Sequence, residues 1–393
     1  METRPIEIDP RRFWPQAGYG DLFPDVRRIG VLRGGGLGDL IFALPAIAAL
    51  SAAYPGASLT LLGSDVHRSL VAACDTEIED VEVLADGWDG SAAPSGPGGP
   101  RSGGRANDGL EAAVARLRGR SFDLLVQLHG GGRQSNPFVH RLGAKHTVGC
   151  ATPEAAKLER SLPYQVSQPE VLRWLEVASL AGAQPVVLEP VLKAKARPSA
   201  RLGGNEPRPV GQPGVVVVHP GASDPRRRWP AGSFAQVVAA VARAGYDVTI
   251  VGGEEDAATA EEIREHARVL LQGSASAQRG AGLVTATAGR SALADVVSLL
   301  SHATAFLGND SGPRHLAQAL GCPTVAIFWG PNAINAAPFS RARHGIHLGW
   351  RTTCPVCGAA SALGTGRCPH DVSYVDDVSP EAVYADLSRF LLQ

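Results

Sequence analysis

Arg28-Ile-Gly-Val-Leu-Arg33-Gly34-Gly-Gly-Leu-Gly38-Asp39-Leu-Ile-Phe-Ala-Leu-Pro45 carries a short apolar run, a glycine turn and the head of a helix. The run from Arg28 to Arg33 has the length of a strand buried on both faces. Leu40 to Tyr54 has helical spacing, with Pro55-Gly56 as its stop, and Ser58 to Leu62 reads as a second strand. Strand, tight glycine turn, helix, strand is the opening of a parallel α/β sheet. Glycines at such a turn let the backbone approach a ligand, and the following helix N-terminus favours negative charge. Gly36 and Gly38 would line a ligand-facing loop, and the Asp39 carboxylate at its end is placed to take a proton. An ordinary βα turn capped by Asp39 explains the same residues. A dinucleotide fingerprint does not, because its third glycine would fall on Asp39 counted from Gly34, or on Ile41 counted from Gly36.

Outward from this stretch, residues 26–195 read as a first α/β domain behind a lead-in, 1–25, whose Phe13 and Trp14 could anchor it. Residues 86–108, dominated by Gly, Pro and Ser, read as a mobile surface loop. The sheet resumes at Phe122 to Leu128 and exits through His129-Gly-Gly-Gly-Arg133. His129 is a candidate for the acceptor side, or only part of a strand-to-loop exit. Residues 196–213, rich in Pro, Gly and Arg, read as a linker. The rhythm restarts over 214–393, with strands at Val215 to Val218, Asp247 to Val251, Ala305 to Leu307 and Thr324 to Phe328. Helices are expected at Phe234 to Ala244, Leu293 to Ser301 and Pro313 to Leu320, followed by a helical tail.

A chain of 393 residues exceeds what one hydrophobic core usually organises, which agrees with two domains. Its net charge of -1, from 37 basic and 38 acidic residues, argues against a nucleic-acid partner. An anionic ligand must then be met by a local cluster. The amino terminus, METRPIEIDPRRFWPQ, lacks the apolar core of a secretory signal, and Leu40 to Leu50 is too short to span a bilayer. A cytoplasmic protein is expected. Six cysteines in a chain of this length do not make a disulfide scaffold.

Two further constellations belong to the second domain. In Val215-Val-Val-Val-His-Pro-Gly-Ala-Ser-Asp-Pro-Arg-Arg-Arg-Trp-Pro230 a strand delivers His219 and Gly221 to the sheet edge, where open α/β sheets bind ligands. The arginines at 226–228 suit a pyrophosphate, since guanidinium groups hold phosphate oxygens bidentately. A solvated basic loop is the plain alternative. In Phe306-Leu-Gly-Asn-Asp-Ser-Gly-Pro-Arg-His-Leu-Ala-Gln-Ala-Leu320 the amides of Ser311 and Gly312 at a helix start form an anion site, and Pro313 suits the first turn. Asp310 and Ser311 could equally be an ordinary cap, and His315 could simply pack beneath the helix.

Taken together, Gly38-Asp39-Leu-Ile-Phe-Ala-Leu-Pro45-Ala46, His219-Pro-Gly-Ala222 with Arg228-Trp-Pro230, and Asn309-Asp-Ser-Gly-Pro-Arg-His-Leu-Ala317 resemble the heptosyltransferase-like inverting glycosyltransferases of family 9. The resemblance runs from about Arg28 to the C-terminus, apart from 86–108. It implies the GT-B architecture, two Rossmann-like parallel-sheet domains facing a cleft, with a C-terminal helical tail. It further implies transfer of a heptose or related sugar from a nucleoside-diphosphate donor, ADP-activated, to a hydroxyl acceptor. Asp39 would be the general base, and His219, Gly221, Arg227 and Arg228 would hold the donor. Glu254 would hold a ribose hydroxyl, while Asp310, Ser311, Gly312 and His315 would form the donor-sugar and pyrophosphate loop. Arg227 departs from the family's usual lysine and so changes reach and geometry.

No paired-carboxylate metal motif stands beside these pieces, so diphosphate charge is expected to be met by arginine and helix amides, with no metal and no cofactor. Cys354, Cys357, Cys368 and His370 have donor types suited to zinc, but the long Gly/Ala-rich spacer favours separate thiols. The expected partners are a nucleotide-sugar donor and a glycan or small-molecule acceptor, with peripheral membrane association only for a lipid acceptor. A non-catalytic nucleotide-sugar-binding protein and a nucleotide-sugar epimerase of similar shape are the competing functions.

Overall fold

The computed structural model describes residues 20–84, 88, 103–195, 214–272, 280–360 and 368–391. Phe13 and Trp14, the linker 196–213 and most of the 86–108 stretch lie outside these residues. The chain divides into two compact units, Met1–Val71 with Thr76–Pro190, and Ala72–Asp75 with Val191–Gln393.

In the first unit the elements run β1 (Arg28–Leu32), α1 (Leu37–Ala53), β2 (Ser58–Gly63) and α2 (Asp65–Ala73). After the short β3 (Cys74–Asp75), which belongs to the second unit, come β4 (Asp80–Val83), α3 (Gly103–Gly119), β5 (Leu124–Gln127) and α4 (Ser135–Leu142). β6 (His146–Ala151), β7 (Arg160–Pro163) and α5 (Glu170–Ser179) complete it. One all-parallel sheet has the order β4-β2-β1-β5-β6-β7. β1 is central, which is why Ile29, Val31 and Leu32 are buried and no polar alternation shows in its sequence. α1 begins at Leu37, three residues before the apolar periodicity, and runs through Pro45. Leu40, Ile41, Leu44, Ile47 and Leu50 are buried on it, so the helix is enclosed rather than amphipathic. α3 starts at Gly103, inside the stretch read as a loop. A glycine-rich start hid a helix that its Leu110-to-Leu117 part propagates.

The second unit contains β8 (Lys193–Ala194), which pairs antiparallel with β3, then β9 (Val215–His219), α6 (Ala231–Arg243), β10 (Asp247–Ile250) and α7 (Ala257–Gln272). β11 (Val284–Ala286), α8 (Leu293–His302), β12 (Ala305–Asn309), α9 (Gly312–Ala319) and β13 (Thr324–Trp329) follow. α10 (Gly330–Ala336), β14 (His344–Gly349) and α11 (Pro380–Leu391) end the chain's described part. This sheet is also parallel, in the order β11-β10-β9-β12-β13-β14. The expected helical tail, α11, is no appendage: Val383, Leu387 and Phe390 join Trp229, Phe234, Ile250 and Leu307 in one buried cluster.

Numbered within its own sheet, each unit has the strand order 3-2-1-4-5-6. In that order the connections leave the first and fourth strands in opposite directions, opening a crevice at their carboxyl ends where ligands bind. The crevice lies after β1 and β5 in the first unit and after β9 and β12 in the second. Those are the positions of Gly34 to Asp39, His129, His219 to Gly221 and Asp310 to Gly312.

Candidate functional site

In the first unit the glycine turn is folded around Asp39. Gly36 is the N-cap of α1, and its N–H donates to Asp39 Oδ2 at 2.8 Å, so the carboxylate closes a capping box from the third helical position. Gly35 sits at φ +90°, and a Cβ there would come within 2.4 Å of Asp39 Oδ2. The other carboxylate oxygen, Oδ1, accepts from an Arg33 terminal nitrogen at 2.7 Å. Arg33 is itself buried at the end of β1. It donates to the Asp39 carbonyl at 2.8 Å and to Leu128 O at 2.7 Å, approaches Glu170 Oε2 at 3.6 Å and lies 4.8 Å over the Trp174 ring. Despite these bonds the Asp39 side chain stays 47% exposed. An ionised carboxylate offers about four lone-pair sites, so accepting these two bonds orients the group without saturating it.

His67 supports the same turn. Its Nδ1 accepts from Ser64 N at 3.3 Å, so Nε2 carries the proton and donates to Gly36 O at 2.9 Å. Burial pushes its pKa down, against that bond and the nearby Asp39 charge. His129 packs beside Trp88, with ring centroids 5.2 Å apart, and against Gly34. Gly36, Asp39 and His129 are thereby brought to one end of the first sheet, and Gly38 lies in the first turn of α1.

In the second unit His219 bridges two elements. Its Nδ1 meets Ser311 Oγ at 3.0 Å and its Nε2 meets Asp256 Oδ2 at 3.3 Å. Asp256 closes a capping box with Gly253 N at 3.0 Å. Burial alone would raise its carboxyl, but the His219 bond and charge with the Gly253 amide hold it below the usual range. Gly221 packs on that carboxylate so closely that a Cβ would lie 2.2 Å from Oδ1. Ser311, the N-cap of α9, makes no side-chain cap bond; its hydroxyl serves His219 and Asn309 O instead. The fully buried Asn309 ties two motifs together, donating to Pro220 O at 2.6 Å and accepting from Trp229 N at 3.1 Å.

The arginines at 226–228 divide their roles. Arg226 pairs with Asp224 at 2.6 Å and stacks 4.7 Å over Trp329. Arg227 donates to Asp310 Oδ2 and Asp310 O, each at 3.2 Å, and to Ser223 Oγ at 2.6 Å. Arg228 is exposed, with its Nε on Ala222 O at 2.8 Å. Asp310 is buried, its carboxylate facing Arg227, Asn332 Nδ2 at 3.1 Å and His315 Nε2 at 3.3 Å. Burial would raise that carboxyl; the His315 bond and the surrounding positive charge drive it far below its ordinary value. Asp310 and His315 thus form an inward-facing brace under Arg227, and Gly312 opens α9 beside them.

Glu254 starts the short turn after β10 and lines a cavity of about 400 Å³ with Ala257, Glu261, Ala286, Ala288, Gly289 and Arg290. Arg33, His67, Asp256 and Asn332 were not singled out from the sequence. Asp256, two residues after Glu254, is the one a capping-box pattern could have flagged.

The C-terminal cysteines do not stand apart as the spacing suggested. One donor atom each from Cys354, Cys357, Cys368 and His370 lies within 4.8 Å of the others. The spacer does not prevent this approach, because the entropy of closing a loop rises only slowly with its length.

Two Rossmann-type parallel sheets in one chain, each with its motifs at the strand-order crevice, define the GT-B class of fold. Residues 111–355 match the model of glycosyltransferase family 9 (heptosyltransferase), and the chain belongs to that family. It is 32% identical over 133 residues to lipopolysaccharide heptosyltransferase 3 of Escherichia coli, covering 33% of this chain and 35% of that protein. It is 31% identical over 176 residues to lipopolysaccharide heptosyltransferase 2 of E. coli strain K12, covering 44% and 46%. The first of these matches thus spans about a third of the curated relative's length. Among solved structures, E. coli ADP-heptose lps heptosyltransferase II superposes with a TM-score of 0.66 at 18% identity, over 93% of this chain and 99% of that one. E. coli heptosyltransferase WaaC with ADP-2-deoxy-2-fluoro heptose superposes at 0.61 and 16% identity, over 92% and 99%. No described helix is long and apolar enough to cross a membrane.

Proposed function

We propose that the protein is an inverting sugar transferase that moves a heptose or related sugar from an ADP-activated donor to a hydroxyl acceptor, with Asp39 as general base. The observation that carries this reading is the held but open Asp39 carboxylate, fixed by Gly36 N–H and Arg33 and still 47% exposed. A general base needs a fixed direction and a free lone pair, and this one has both. Gly36, Gly38 and His129 are assigned to the acceptor side. The second unit is assigned the donor, with the cavity at Glu254 taking the nucleoside. Arg228 and the Ser311 and Gly312 amides take the diphosphate, while Asp310, His315, His219 and Gly221 hold that surface in shape. The structurally related WaaC, whose structure holds an ADP-sugar analogue, supports the donor class.

Positive charge at the leaving diphosphate then comes from arginine and backbone amides. Turnover is expected to persist in EDTA and to gain nothing from added Mg²⁺; loss in EDTA with recovery in Mg²⁺ would refute metal independence. The base is tested by Asp39→Asn, which keeps size but cannot take the proton. It should bind the donor normally by calorimetry while product formation falls by about 10² to 10⁴. Near-normal turnover removes Asp39 from the mechanism. Lost donor binding with a lowered Tm makes it a structural cap.

A further inference from the structure

We propose that Cys354, Cys357, Cys368 and His370 bind a structural zinc ion, which ties the turn after β14 to the segment leading to Tyr374.

The donor set is three thiols and an imidazole, with no carboxylate among the four. Soft sulfur donors with one nitrogen suit zinc and not the oxygen-seeking Mg²⁺ or Ca²⁺. The distances agree. With Zn–S about 2.3 Å and Zn–N about 2.0 Å, a tetrahedral S···N edge is about 3.5 Å. Cys354 Sγ and His370 Nδ1 stand 3.7 Å apart, close to that edge, and all four donor atoms lie within 4.8 Å of one another. All three cysteines are free, not paired in a disulfide.

The backbone is shaped for this. Cys354-Pro-Val-Cys357-Gly358 folds as a tight turn in which Gly358 N donates to Cys354 O at 2.9 Å and Cys354 N donates to Ala359 O at 2.8 Å. Thr353 and Ala360 close it as a β-bridge, and Gly358 takes φ +71°, a conformation that favours glycine. Such a turn presents both of its sulfurs to one point. Cys368 and His370 reach that point from the other side of a spacer.

Four protein ligands leave no position for substrate water, which makes the site structural. What it would hold is visible in the packing. Cys354 is buried in the second unit's core, with Ala359, Cys368 and Val372 packed against the same cluster. Four residues beyond His370, Tyr374 donates its N–H to Arg226 O at 2.8 Å, and Arg226 stacks on Trp329. The metal cross-link therefore ends beside the turn that carries Arg226 to Arg228.

The test begins with metal analysis of the full chain, purified without added metal or chelator. Equimolar zinc is expected, released by a thiol-modifying mercurial. Exchange with Co²⁺ should give the intense visible bands of tetrahedral cobalt and the near-ultraviolet band of thiolate coordination. Cys357→Ser alters the exposed ligand and should abolish both the bound zinc and the thiolate-rich cobalt spectrum. The wild-type measurements do not depend on that variant folding. Substoichiometric metal, iron in place of zinc, an octahedral cobalt spectrum, or undiminished zinc in Cys357→Ser would each overturn the proposal. Because the readouts are metal content and spectra, they are independent of whether the sugar-transfer reading holds.

Discussion

Arg227 gives its guanidinium to the buried Asp310 carboxylate, whereas the exposed Arg228 donates its Nε to the Ala222 backbone carbonyl. Both were expected at the donor phosphate, and as free chains they are equivalent. Only the fold shows that one also neutralises a buried charge. Removing one partner of a buried pair leaves an uncompensated charge, at about 3–5 kcal/mol, moderated here by His315 and Asn332. Arg227→Ala should therefore lower Tm markedly as well as weaken donor binding, and Arg227→Lys should restore part of both. Arg228→Ala should weaken donor binding with little change in Tm. Equal Tm values for the two alanine variants, read by calorimetry, would contradict this division. The same limit explains Arg33. A sequence shows an arginine at a strand end, but not that it turns back six residues to Asp39.

At the scale of elements, strands were legible because their apolar runs are fully buried in parallel sheets, leaving β1 and β9 as continuous hydrophobic stretches. Helix starts were less legible. α1, α6 and α9 all begin one to three residues before their apolar periodicity, since first turns are set by caps and glycines rather than by packing. The glycine turn before α1 shows what depends on such a start. Gly35 combines φ +90° with a position where a Cβ would lie only 2.4 Å from Asp39 Oδ2. Gly35→Ala is expected to fold, since the strain of a non-glycine residue in this region is about 1–3 kcal/mol. It should also push the carboxylate off Gly36 N–H. The result should be a fall in turnover with unchanged donor affinity, separable by product formation and calorimetry on one sample. Unchanged turnover would mean that the capping box does not position the base.

For the whole molecule, two parallel-sheet units were legible from a repeated α/β rhythm, while the incorporation of α11 into the second core was not. Long-range packing of this kind also sets how stability depends on pH, through side chains that the sequence marks only as histidines. His344 at the start of β14 is buried, with Nδ1 at 3.0 Å from Thr324 Oγ1. Burial, reinforced by the charges of Arg314 and Arg343, lowers its pKa from 6.5 to about 4. The folded value is the depressed one, so the native state refuses a proton that the unfolded chain accepts between these limits. Its contribution is then fully present above pH 6.5 and is lost progressively as pH falls toward 4. At 1.36 kcal/mol per pKa unit the loss amounts to about 3 kcal/mol, large against the usual net stability of a domain. His67 in the first unit shifts in the same direction for the same leading reason, burial. Calorimetric Tm should therefore drop between pH 7 and 4 in the wild type. His344→Gln, which cannot take the proton, should start lower at pH 7 and fall less steeply. The transition whose slope flattens is thereby assigned to the second unit. Parallel curves for wild type and variant would show that His344 titrates alike in the folded and unfolded chain, and the acid sensitivity above pH 4 would pass to His67, because the Asp256 and Asp310 carboxylates lose their contribution only below pH 4.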